Sequence, residues 1–225
     1  MTVFNNKVIQ HIPKTGGTAF KKAISKRLDM LEYNTNHKPL DYLGYLDNEK
    51  FSSYEVVAVL REPVNWYLSW YNFTVFKNKN DPLGAILLDY SLNMDDYMDN
   101  ALDLTEFFKK DPNLIKEFKR YIAVTGYSHI TYFIKDIDNL TPEFFEHKSL
   151  YSFLVTAQVD ENTKLFRWKD QYPDFLRYIG IDDVDIDKVN VTKYTFSMND
   201  VSIEKIKLKD KKIVDLYNSI ENIKD

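Results

Sequence analysis

His11-Ile12-Pro13-Lys14-Thr15-Gly16-Gly17-Thr18-Ala19-Phe20 joins an apolar segment, predicted as a buried strand, to a segment of helical period through a glycine-rich turn. Gly16 and Gly17 open backbone conformations closed to other residues, so successive amide N–H groups can converge on one point. Thr18 stands at the predicted helix start, where unpaired amides and the positive end of the helix dipole favour a phosphate or sulfate. Lys14 adds a mobile cation with three donors. Lys14, Thr15, Gly16, Gly17 and Thr18 are therefore candidate anion-binding residues; the alternative is a tight strand-to-helix connection without a ligand. The nucleotide-triphosphate loop needs a Gly-Lys pair at its end, whereas the lysine here precedes the glycines, which weakens a kinase reading.

A second turn of the same kind follows Val56-Val57-Ala58-Val59-Leu60, an apolar run that predicts a strand buried on both faces. Arg61 lies at its carboxyl end, where ligands gather in open α/β sheets, and Pro63 suits the first turn of a helix. Ser69 falls about two turns into that helix and can face the same anion. Taken singly, the arginine can cap a surface carboxylate and the serine can fill a helix surface. Two anion-holding turns in one chain make the functional reading the stronger.

These two segments, H-I-P-K-T-G-G-T and L-R-E-P-x-x-x-x-x-S-x-Y, resemble the 5′-phosphosulfate and 3′-phosphate motifs of sulfotransferases that use 3′-phosphoadenosine-5′-phosphosulfate. The likeness is to the carbohydrate-modifying branch that includes the heparan sulfate 2-O-sulfotransferases. The resemblance implies that Lys14 through Thr18 cradle the 5′-phosphosulfate while Arg61 and Ser69 hold the 3′-phosphate. Asn190-Val191-Thr192-Lys193 is similar to a late N-x-[ST] segment near the donor nucleotide, which adds Asn190 and Thr192 to the donor site. It also implies that His37, ahead of the second strand, is the catalytic base; the other reading is a surface-loop histidine in Asn-His-Lys-Pro. Imidazole chemistry suits the task, since it titrates near neutrality and can accept a hydroxyl proton. The family commonly carries a second arginine three residues after the proline, where this chain has Trp66.

The donor expected from the resemblance is 3′-phosphoadenosine-5′-phosphosulfate, with no metal, and the acceptor is a hydroxyl, on a glycan or glycoconjugate. The rival readings are a nucleotide-dependent phosphoryl-transfer enzyme and a glycan-binding protein without catalysis. A formal charge of −4 argues against a general nucleic-acid binder, so the anion site is a local positive feature of an acidic molecule. The absence of cysteine excludes disulfides and thiolate metal sites. No signal-peptide core or membrane-spanning run is legible, and the expectation is a soluble, cytoplasmic protein of bacterial or viral type.

With 225 residues, one domain over 1–225 is expected, with residues 83–135 as a helical elaboration for acceptor binding. The predicted fold is a P-loop-like three-layer α/β sandwich with a short, mostly parallel sheet flanked by helices. Its elements are a strand over 7–12, a helix over 18–28, a strand over 150–156, a helix over 160–171, and a late helix whose isoleucines recur at helical spacing behind Ser202 as N-cap. Arg120, Tyr121, Tyr127, His129 and Tyr132 are possible acceptor contacts. Trp70 and Tyr71 suit stacking on sugar rings and suit a core equally. Asp182 to Asp187 lacks the glycine and terminal glutamate of a calcium loop.

Overall fold

The computed structural model of the chain describes residues 1–25, 27–34, 53–77, 81–125, 133–134, 136–182 and 196–221. Its contacts divide the chain into two compact units, one formed by Met1–Glu62, Val155–Lys193 and Asp215–Asp225, the other by Pro63–Leu154 and Tyr194–Val214. Residues 83–135, expected to elaborate a single domain, fall inside the second unit.

The first unit carries the sheet. Strand β1 (Thr2–Phe4) and β2 (Lys7–Gln10) form an antiparallel hairpin, with Thr2 opposite Ile9 and Phe4 opposite Lys7. Its two-residue turn, Asn5-Asn6, has φ values of 49° and 56°, the left-handed pair that matches strand twist and that asparagine tolerates. Next, β3 (Leu31–Asn34) pairs antiparallel with β1, while β4 (Glu55–Leu60) pairs parallel with β2 and β5 (Lys164–Arg167) parallel with β4. The order is β3-β1-β2-β4-β5, so β1 alone runs against the other four strands. The fold is α/β with an open, mostly parallel sheet.

Alternation along the strands builds two faces. On one, Ile9, Val57, Val59 and Phe166 pack against Phe20, Ala23 and Ile24 of α1 (Gly17–Ile24) and against Phe175 and Leu176 of α8 (Tyr172–Tyr178). On the other, Val3 and Val8 pack with Met1, Tyr54 and Val56. The parallel strands place the chain's returns at their carboxyl ends, which is where Lys14, Arg61 and Arg167 all follow.

The second unit is helical: α2 (Pro63–Lys77), α3 (Pro82–Asp89), α4 (Met94–Leu102), α5 (Leu104–Lys109), α6 (Asn113–Thr125), the start of α7 (Leu150–Thr156), α9 (Asp200–Lys209) and the start of α10 (Lys211–Ser219). Five of these helices begin on a side-chain cap: the oxygens of Asp81, Asn93, Asp103, Ser149 and Asn199 accept from the amides of Gly84, Asp96, Glu106, Ser152 and Ser202. Leu114, Phe118 and Ile122 form a buried stripe on α6.

Two sequence expectations exchange identity. Residues 150–156, expected as a strand, form α7, because their less buried positions, Ser152 and Thr156, recur four apart and the Ser149 hydroxyl accepts from the Ser152 amide at 3.0 Å. Residues 160–171, expected as a helix, contain β5 instead. Asp160 Oδ1 gathers the Asn162 amide at 3.1 Å and the Thr163 hydroxyl at 2.6 Å into a turn, and the next four residues add to the free edge of β4. Ser202 is not the late N-cap. Asn199 takes that place, and the late helix breaks at Asp210, whose side chain turns inward.

Candidate functional site

The first strand-to-helix turn is tightly determined. The Thr15 hydroxyl donates to the Ile12 carbonyl at 2.7 Å, closing the loop from within. That proton is then spent, so what Thr15 offers an anion is its amide. Lys14 has φ of 67° and Gly16 φ of 93°, two left-handed residues within three positions, and Gly16 is the N-cap of α1. No side chain caps α1 and no acidic residue occupies its first turn, although Gly17 itself is buried. Thr18 is exposed there.

Side chains cover both glycines. A Cβ on Gly16 would lie 1.9 Å from Cζ3 of Trp168, and one on Gly17 would lie 1.5 Å from Nε2 of His11. The Tyr172 hydroxyl also donates to the Gly16 carbonyl, at 3.3 Å. Beneath the loop, His11, Thr15, Gly16, Gly17, Phe20 and Tyr172 help line a cavity of about 10 Å³, the size of one water at most. It is packing space, too small for a nucleotide.

Arg61 closes the arrangement from the neighbouring strand. Its Nη1 donates to the Lys14 carbonyl at 3.2 Å, so the two turns that lie 47 residues apart in sequence meet at the carboxyl ends of β2 and β4. The guanidinium then holds the backbone of the loop whose side chain and amides would face the anion.

Ser69 is buried on α2, 3% exposed. Trp66, at the position of the family's second arginine, is fully buried and stacks on Trp70 at 5.1 Å and on Tyr151 at 4.4 Å. It is a core residue of the second unit. Trp70 is fully buried too and Tyr71 nearly so, which removes the sugar-stacking role considered for them. Of the possible acceptor contacts, Arg120 is exposed and paired with Glu117 at 3.4 Å. Tyr121 donates to Asp89, and that bond and partial burial push its pKa up to about 12. His37, Asn190, Thr192, Tyr127, His129 and Tyr132 lie outside the described residues.

Arg167 ends β5 and Trp168 follows it. The register pairs Leu60 with Arg167, and the Trp168 amide donates to the Leu60 carbonyl at 2.6 Å. The signal for this lies in the pattern K-L-F-R, a short run ending in arginine as V-V-A-V-L-R does. Among the described residues, no three His, Asp or Glu side chains are grouped to hold a metal, and no helix is long and apolar enough to cross a membrane. No known protein family, curated protein or solved structure matches the chain.

Proposed function

We propose that the protein transfers the sulfuryl group of 3′-phosphoadenosine-5′-phosphosulfate to a hydroxyl acceptor, a carbohydrate being the leading class, on a P-loop-like three-layer scaffold. The single observation that carries this reading is the bond from Arg61 to the Lys14 carbonyl, which joins the two turns at the carboxyl ends of neighbouring strands. The uncapped N-terminus of α1, free of acidic residues in its first turn, supports it.

In this reading the acceptor oxygen attacks sulfur as the bond from sulfur to the 5′-phosphate oxygen breaks. The electron pair goes to that oxygen, where Lys14 and the amides of Gly16 to Thr18 meet the growing charge. The acceptor proton goes to His37. Arg61 holds the 3′-phosphate, Asn190 and Thr192 lie by the nucleotide, and the alignment of two bound substrates lowers the barrier further.

Titration calorimetry and labelled transfer test it. The expected result is preference for 3′,5′-adenosine bisphosphate over ATP with magnesium, and movement of radiolabelled sulfate onto a member of a panel of glycans, lipids and small alcohols. Preference for ATP with magnesium would overturn it in favour of phosphoryl transfer. Glycan binding without transfer would favour a glycan-binding protein without catalysis.

A further inference from the structure

We infer that Arg167 and the Tyr217 hydroxyl complete, with Arg61, a phosphate-monoester subsite at the carboxyl ends of β4 and β5, replacing the second arginine that Trp66 displaces from α2. The inference rests on the donor assignment above and names the residues that would hold the donor's 3′-phosphate.

Position comes first. Leu60 and Arg167 are partners in the parallel β4–β5 register, so Arg61 and Arg167 leave adjacent strands within about 5–7 Å of one another at the backbone. The connection after β5 is held hard. The Arg167 amide donates to Gln171 Oε1 at 2.9 Å, Gln171 Nε2 donates to the Glu221 carbonyl at 2.6 Å, and Lys169 takes a φ of 89° that a lysine adopts only under constraint. The bond from Gln171 also brings in the chain just past α10, the helix that carries Tyr217.

Charge follows. The Arg167 side chain is only 18% exposed, yet its carboxylate partner Asp170, at 2.9 Å, is 53% exposed. Asp170 is half in water and can swing aside for a better anion. Tyr217 senses the whole group: burial raises its pKa, Asp170 and Glu62 raise it further, and Arg167 and Arg61 oppose them. Its hydroxyl stays protonated at neutral pH and is a donor. Two guanidiniums with a hydroxyl suit the dianion of a phosphate monoester; a sulfate ester, carrying one charge, leaves one guanidinium without a matching charge.

The test compares 3′,5′-adenosine bisphosphate with adenosine 5′-monophosphate, which lacks the 3′ group, by calorimetry on the full chain. Arg167→Ala is expected to weaken the bisphosphate about 10- to 100-fold and leave the monophosphate within about two-fold. Tyr217→Phe is expected to do the same by a few-fold. Arg167→Lys, which keeps the charge and loses the fork, should fall between wild type and Arg167→Ala and serves where the alanine variant fails to fold. Equal weakening of both ligands would show a structural role and overturn the subsite. Unchanged bisphosphate affinity in Arg167→Ala would overturn the subsite alone, whereas a wild-type protein that binds neither nucleotide would overturn the donor assignment and the subsite with it.

Discussion

Lys14 shows how much one residue is asked to do. It sits at a left-handed φ of 67°, its carbonyl is gripped by Arg61, and its ammonium is the one assigned to the departing oxygen. Lys14→Ala should lower turnover about 100-fold or more while changing folding stability by less than about 1 kcal/mol, as read by sulfate transfer and denaturant melts. Near-full turnover would remove the lysine from the chemistry. The glycine beside it works differently. Gly16→Ala meets both a φ of 93° and the Trp168 ring, and should cost about 2–4 kcal/mol in a denaturant titration, the sum of left-handed strain and overpacking. A loss below about 1 kcal/mol would mean that Trp168 moves freely. These glycines were legible as loop formers from P-K-T-G-G-T. That Trp168 excludes a Cβ at Gly16 was not, because it reaches the loop through the sheet; His11, in the same stretch, excludes one at Gly17 by folding back over it.

Among elements, α2 separates what a motif specifies from what a core demands. The resemblance marks Trp66 as a missing arginine, but the side chain is enclosed by Trp70, Tyr67 and Tyr151. Restoring the motif with Trp66→Arg buries an unpaired guanidinium in an aromatic stack and should cost at least about 3–5 kcal/mol. A variant as stable as wild type in urea, with tighter bisphosphate binding, would show instead that the position opens to the donor. The strand of β4 and the start of α2 were legible because a doubly buried β-branched run and an N1 proline have few other solutions. Residues 150–156 and 164–167 were misread for one reason: a short apolar run carries no period, and a cap or a free strand edge decides.

At the scale of the molecule, the second unit is tied by a buried acid. Asp210, 1% exposed, accepts from the Tyr67 hydroxyl at 2.9 Å and from the Ser149 hydroxyl, linking residues from three distant parts of the chain. Burial is the main cause that raises its pKa to about 6, against partial opposition from Ser149, Tyr67 and Lys209. The folded state therefore keeps a proton that the unfolded chain has lost between about pH 4 and 6. Stability from this group is present below about pH 4 and lost as pH rises through 6, by about 3 kcal/mol for a two-unit shift. Melts from pH 4 to 7 should show that slope, and Asp210→Asn should flatten it; an unchanged slope would assign it to other groups.

The two strand-to-helix turns, the α/β class and the strand that precedes Arg61 follow from local chemistry alone: glycine and proline geometry, and apolar runs too long for a surface. What folding in three dimensions decided is which turns meet. Arg61 reaches the Lys14 carbonyl, and Arg167 stands beside Leu60, only because β2, β4 and β5 align in one register. Strand order is set by hydrogen bonds between segments tens to a hundred residues apart, and no window along the chain contains both partners.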